Sequence, residues 1–119
     1  MKLPNIFESE TQPLLLAAGD IVFSSGDEGV EMFVVREGTV EIRVGGLTVE
    51  TVGPDGFFGE MALIEGGPRT ATAVAKTDCK LIPINAKRFE FMVHEVPFFA
   101  ISVMRGLSRR LRNINSVAE

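Results

Sequence analysis

Turn-forming residues divide the first half of the chain into short apolar segments. These segments follow one another between residues 14 and 56 as LLLAAGD, DIVFSSGD, EMFVVREG, TVEIRVGG and LTVETVGPDG. Most are rich in β-branched or aromatic residues, and each ends in Gly, Asp or Pro. Gly38 and the Gly45–Gly46 pair supply the positive-φ positions that tight turns require. The pattern predicts successive hairpins in an all-β barrel or sandwich.

The last part of the chain changes to a helical period. Strand signals return in TATAVAK and CKLIPIN, after which Asn85 is placed to cap a short helix in NAKRFEFMVHEV. Pro97 suits the first turn of a longer helix, expected to run to about Ser116. Steps of three and four predict one apolar seam on it, formed by Met104, Leu107, Leu111, Ile114 and Ala118. The predicted fold is mainly β: an antiparallel β-roll, of the double-stranded β-helix or jelly-roll type, followed by two C-terminal helices.

A chain of 119 residues suits one domain, expected at residues 13–119 after a short N-terminal segment at residues 1–12. No apolar run approaches the ~20 residues that a membrane helix needs, and the N-terminus has no signal-peptide pattern. We therefore expect a cytoplasmic location and no membrane partner. Cys79 is the only cysteine, which excludes an intrachain disulfide and a cysteine-rich zinc cluster. We expect it to be a small apolar residue of a strand.

Charge is distributed unevenly along the chain. The net charge is −4, yet residues 61–119 hold five acids and nine bases. Four of these bases crowd the last helix: Arg105, Arg109, Arg110 and Arg112. A basic helix can follow nucleic acid phosphates, but the solvated face of an amphipathic helix is the commoner explanation, and we favour it.

The stretch GFFGEMALIEGGPRTAT, residues 56–72, combines residues suited to an anionic ligand. Gly59 lets a ligand approach the backbone, and residues 60–64 favour one short helical turn with free N–H groups. The GGP loop then reverses the chain, so that Arg69 returns with its fork of donors and Thr70 adds a hydroxyl. Glu60 fits beside an anion if the ligand also offers hydroxyl donors, such as a ribose 2′-OH.

This stretch resembles the phosphate-binding cassette of cyclic nucleotide-binding domains, which occur in protein kinase A regulatory subunits, cGMP-dependent kinase, cyclic nucleotide-gated channels and catabolite activator proteins. AAGDIVFSSGDEGVEMFVVREGTVEI and FEFMVHEVPFFAISVMRGLSRRLR are similar to the family's early strands and closing helices. The resemblance implies that Arg69 pairs with the cyclic phosphate, that Glu60 holds the ribose 2′-hydroxyl and that Thr70 stands near phosphate and base. The implied ligand-binding residues are Gly59, Glu60, Met61, Ala62, Arg69, Thr70 and Ala71.

The chain departs from the family pattern at both ends. Its N-terminus is too short for the helical bundle that often precedes the barrel, so Ile6 and Phe7 would form only part of one. It stops at Glu119, without the winged helix-turn-helix of the catabolite activators or the further domains of kinases and channels. Two interpretations follow: a sensor without an output domain of its own, or the excised sensor domain of a larger regulator.

Enzymes and DNA-binding regulators are the main rival classes. A cupin-type metal enzyme uses a similar β-roll but needs several histidines, whereas this chain has only His94, near the end of the short helix. No Ser or Cys sits at a nucleophile turn, and no sequence remains for a DNA recognition helix. We expect no enzyme activity, no catalytic or metal-binding residue, no cofactor besides the ligand and no nucleic acid partner.

The predicted function is a non-catalytic sensor of cAMP or cGMP that acts on a protein effector which the sequence does not identify. We favour cAMP, although Thr70 is similar to the cGMP-kinase and channel cassettes. The last helix is expected to be a lid, with an apolar residue or Arg110 covering the base, and to form a homodimer contact. Three alternatives stay open: a ligand-independent interaction module, a plain salt bridge between Glu60 and Arg69 under a surface loop, and a last helix that is permanently packed on its own barrel.

Overall fold

The computed structural model describes residues 12–118, with side chains as far as residue 113, and forms eight strands and three helices in this part of the chain. The expected N-terminal segment, with Ile6 and Phe7, lies outside the described residues apart from residue 12. In chain order the elements are β1 (Leu14–Leu16), β2 (Ile21–Phe23), β3 (Glu31–Glu37), β4 (Val40–Val44), β5 (Leu47–Val52), β6 (Phe57–Phe58), α1 (Met61–Ile64), β7 (Thr72–Ala75), β8 (Cys79–Asn85), α2 (Ala86–Glu95) and α3 (Pro97–Ala118).

The strands form two four-stranded antiparallel sheets, in the orders β1-β8-β3-β6 and β2-β7-β4-β5. The predicted β-roll is therefore confirmed. The predicted succession of hairpins is wrong for most neighbours, because β4 and β5 form a hairpin while β3 and β4 lie in different sheets. All three predicted turn glycines have positive φ, at 89° for Gly38, 58° for Gly45 and 83° for Gly46. A tight hairpin and a crossing between sheets both need such a turn, so the turn residues do not distinguish them.

Strand β3 separates two apolar cores. Its alternate residues Phe33 and Val35 point into the barrel and pack with Phe58 and Leu81. Met32 and Val34, in the same strand, join a second core beneath α2 and α3. Because both faces of β3 are covered, its sequence is a continuous apolar run rather than an alternating one.

The sequence predicted where both long helices begin. Asn85 caps α2 by accepting a hydrogen bond from the Arg88 amide at 2.8 Å, and Pro97 is the first residue of α3. Cys79 is a buried residue of β8, as expected. None of the helices in the described part of the chain is both long and apolar enough to cross a membrane.

The predicted apolar seam of α3 is divided between two faces of the helix. Leu107 packs on the core beneath α3, together with Phe99 and Val103. Met104 and Leu111 point away from the barrel and are 59% and 60% exposed. The side chains of Ile114 and Ala118 lie outside the described residues. The spacing of three and four marks a stripe wide enough to reach both the barrel and the solvent.

Candidate functional site

A cavity of about 580 Å³ lies between the β4–β5 hairpin, α1, the loop after α1 and the C-terminal half of α3. The structure brings all the residues that the sequence predicted for the site to this one cavity. Its lining includes Gly59, Glu60, Met61, Ala62, Arg69, Thr70 and Ala71.

The backbone conformation of Gly59 allows Glu60 and Arg69 to lie beside the same cavity. Gly59 has a φ of 82°, and a Cβ atom added to it would lie 2.9 Å from Arg69 Nη1. Any side chain here would therefore strain the backbone and displace the arginine. Glu60 follows as the N-cap residue of α1, and the first amides of a helix, here those of Met61 and Ala62, have no partner within the helix.

Backbone hydrogen bonds fix the return of the chain at Arg69. The Arg69 amide donates to the Asp27 carbonyl at 2.7 Å, and the Gly26 amide donates to the Arg69 carbonyl at 2.8 Å. The loop after α1 is thus tied to the turn between β2 and β3. This tie holds the start of the Arg69 side chain beside the cavity.

Arg69 is 8% exposed as a residue, and its guanidinium has only neutral hydrogen-bond partners. Nη1 donates to the Gly59 carbonyl at 2.9 Å, Nη2 donates to the Glu31 carbonyl, and the group lies 4.0 Å from the centre of the Phe23 ring. Its buried Nε has no hydrogen-bond partner among the described residues. Burial lowers the pKa of Arg69, while the Glu31 and Asp27 carboxylates partly oppose that shift. Arginine nevertheless keeps its charge in proteins, so unused donors remain for an anion.

Glu60 pairs with an arginine of α3 rather than with Arg69. Its side chain is 1% exposed, and Oε1 accepts a hydrogen bond from Arg110 Nη1. The alternative of a plain Glu60–Arg69 salt bridge is therefore wrong. Arg110 also donates from Nε to Glu50 Oε1 at 2.7 Å and from Nη2 to the Phe57 carbonyl at 2.7 Å.

The approach of α3 to β6 depends on a small residue one turn before Arg110. A Cβ atom added to Gly106 would lie 2.6 Å from Cζ of Phe57. The helix backbone therefore sits directly against this ring, and the Arg110 guanidinium lies 5.5 Å from the ring centre. The glycine thus allows α3 to bring Arg110 to the cavity.

The cavity also has an apolar wall that was not predicted from the sequence. Ile42, Val44, Leu47 and Val49 of the β4–β5 hairpin line it, and Leu47 is 72% exposed. Their alternation along two strands was the available signal, but a hairpin pattern alone does not show which face is covered. Thr70 also lines the cavity and is exposed. The cavity therefore combines arginine side chains, a carboxylate and an apolar surface that suits a ring system.

Comparisons with known proteins agree with this geometry. A family model for the cyclic nucleotide-binding domain matches residues 13–95. A cyclic nucleotide-gated potassium channel of Rhizobium etli is 36% identical over 100 residues, which are 83% of this chain and 28% of the channel. A cAMP-dependent protein kinase regulatory subunit of Eremothecium gossypii is 40% identical over 75 residues, which are 63% of this chain and 16% of the subunit.

Similarity to solved structures extends over nearly all of the described fold. The crystal structure of the Thermus thermophilus catabolite activator protein superposes with a TM-score of 0.79 and 31% sequence identity, covering 90% of this chain and 53% of that one. The chain thus corresponds to a minor part of the channel and the kinase subunit and to about half of the activator.

Proposed function

The chain belongs to the cyclic nucleotide-binding domain family, and from that premise we propose that it is a sensor that binds a cyclic nucleotide in the cavity beneath α3. The observation that carries the proposal is Arg69: a buried guanidinium at the cavity, held by neutral carbonyls, whose Nε has no partner among the described residues. Desolvating such a charge is costly unless it is paired, so the site favours an anion.

In this proposal each end of the cavity recognises one part of the ligand. Arg69 binds the cyclic phosphate with donors that the protein leaves free, assisted by the backbone of Gly59, Met61 and Ala62. Glu60 accepts a hydrogen bond from the ribose 2′-hydroxyl, since an ionised carboxylate only accepts. The apolar wall of the β4–β5 hairpin contacts the purine, and Thr70 and Ala71 contact its edge or the phosphate.

We propose cAMP as the preferred ligand over cGMP. Support comes from the relative whose name specifies cAMP dependence, which is 40% identical over the region it shares with this chain. The apolar wall offers little hydrogen-bonding discrimination between purines, so the preference depends on a few polar groups at the rim, of which Thr70 is one.

The proposed role is regulatory rather than catalytic, and it is exerted through a protein effector and through self-association. Ile101, Met104 and Leu111 form an exposed apolar stripe on α3, away from the barrel. We propose that this stripe forms a homodimer contact. Helix α3 then carries both a cavity residue, Arg110, and a surface through which binding is communicated.

Isothermal titration of the purified protein with cAMP, cGMP and linear 5′-AMP tests the function. We expect saturable binding of one molecule per chain, tightest for cAMP and weakest for 5′-AMP. Absence of heat with both cyclic nucleotides at millimolar concentration would contradict the proposal and favour a ligand-independent interaction module.

A further inference from the structure

We propose that Arg110 and Glu50 are positioning residues that hold the Glu60 carboxylate in place as the acceptor for a hydroxyl group of the ligand. This inference rests on the proposed function, because it concerns how the ribose end of the same cavity is prepared. It assigns Arg110 to Glu60, rather than to a cover over the base.

The Glu60 carboxylate is almost completely buried. Its side chain is 1% exposed, although it follows a glycine and is the N-cap residue of a helix of only four residues. An isolated buried carboxylate is expensive to keep ionised, and its pKa rises when burial is not compensated by an opposite charge. Glu60 therefore needs a cation if it is to act as an acceptor at neutral pH.

Arg110 is the cation that the structure supplies. Its Nη1 donates to Glu60 Oε1, and the other two nitrogens are fixed by the Phe57 carbonyl and Glu50. All three nitrogens of the guanidinium thus have partners on the barrel. Because Arg110 is held by contacts within the chain, Glu60 is already oriented before the ligand binds.

Glu50 completes the arrangement from the edge strand β5. Its Oε1 accepts from Arg110 Nε at 2.7 Å, and the two side chains are 31% and 23% exposed, against 1% for Glu60. The more exposed carboxylate, Glu50, therefore orients Arg110 from the cavity rim. Arg110 in turn orients and neutralises the buried carboxylate of Glu60. One donated N–H occupies only one of the roughly four lone-pair positions of a carboxylate, so Glu60 can accept a further hydroxyl.

Paired titrations with cAMP and 2′-deoxy-cAMP test this role, because the two ligands differ only in the hydroxyl assigned to Glu60. For the wild type we expect about tenfold or stronger preference for cAMP, as for a hydrogen bond to a charged group. Arg110→Gln should reduce that preference to about twofold or less, as should Glu60→Gln, while affinity for 2′-deoxy-cAMP changes little. Arg110→Lys should retain part of the preference, and Glu50→Gln should lower it less than Arg110→Gln.

Arg109→Gln is the matched control, since Arg109 is exposed one position earlier on α3 and does not line the cavity. It removes the same charge and should leave the preference unchanged. Equal loss of both ligands in Arg110→Gln would overturn the inference and assign Arg110 to the base. An unchanged preference in that variant would overturn it as well.

A measurement without ligand separates this inference from the proposed function. The ¹³C shift of the Glu60 carboxyl group, followed against pH, should show an ionised group at neutral pH in the wild type. In Arg110→Gln its titration midpoint should rise by about one pH unit or more. The other charged groups lining the cavity, Glu50, Glu65 and Arg69, are the same in both proteins. Identical midpoints would overturn the inference even if cAMP binds, whereas a raised midpoint without cAMP binding would contradict only the proposed function.

Discussion

Arg69 is charged, nearly buried and anchored only by carbonyls, and this combination makes it the most sensitive residue of the site. We expect Arg69→Leu to weaken cyclic nucleotide binding at least tenfold, because a charge-assisted hydrogen bond contributes about 1.5–3 kcal/mol. Titration calorimetry measures the change, and Arg109→Leu on the exposed side of α3 is the control. An affinity within twofold of the wild type would show that the phosphate binds elsewhere.

Thr70 is the residue through which the choice of base can be examined. Its hydroxyl can accept a hydrogen bond from the guanine amino group, which adenine lacks at that position. We therefore expect Thr70→Ala to weaken cGMP more than cAMP, as measured by competition with a fluorescent cyclic nucleotide. Equal losses for both ligands would assign the hydroxyl to the phosphate instead.

The sequence predicted that the cassette residues lie together, but not the groups that hold them. Residues 59–71 are contiguous and chemically unusual, so their joint position at one cavity could be inferred. The partner of Glu60 could not be inferred, because Arg110 is 50 residues away along the chain. The Phe57 and Glu31 groups that hold Arg110 and Arg69 are backbone carbonyls. Every residue has a backbone carbonyl, so the residue types of a sequence do not indicate which carbonyl accepts a hydrogen bond.

At the scale of elements, the docking of α3 depends on its apolar underside. Phe99 is fully buried and packs edge-on against Phe89, with ring centres 5.5 Å apart. We expect Phe99→Ala to lower the free energy of unfolding by about 3–5 kcal/mol, since it removes a large core side chain. Urea denaturation measures this cost. The neighbouring Phe98 is 51% exposed, and Phe98→Ala should cost far less.

The outer stripe of α3 carries the prediction about assembly. If the stripe forms the homodimer contact, Leu111→Glu should shift the protein from dimer to monomer in sedimentation velocity, because it places charges in an apolar interface. Arg109→Gln lies beside the stripe and should leave the dimer intact. If the wild-type protein sediments as a monomer both with and without cAMP, the proposed homodimer contact is wrong.

The starts of the helices could be predicted from local sequence, whereas the pairing of the strands could not. Asn85 and Pro97 indicated where α2 and α3 begin, because a capping side chain and a fixed φ are properties of single residues. Strand β6 was missed because only two residues lie between Gly56 and Gly59, and their pairing with Phe33 and Val34 is a long-range property. The exchange of strands between the two sheets was missed for the same reason.

For the whole molecule, ligand binding should appear as increased stability. A ligand that binds only the folded state at a hundredfold excess over its Kd stabilises that state by about 2.7 kcal/mol. For a domain of this size we expect cAMP to raise Tm by several degrees, on the order of 10 °C. Differential scanning fluorimetry measures the shift, which at the same ligand concentrations should be clearly smaller in Arg69→Leu and smallest with 5′-AMP.

The sheet topology also has a consequence for the order in which the domain is made. Among the described strands, β1 pairs only with β8, and Leu14 lies opposite Leu81. During synthesis from the N-terminus, β1 must therefore stay unpaired until β8 has left the ribosome. Such long loops close slowly, and β topologies of this kind typically fold in about milliseconds to seconds. The cavity is complete only when α3 has packed and placed Arg110 beside Glu60. A nascent chain therefore contains all of residues 59–71 before its binding site is complete.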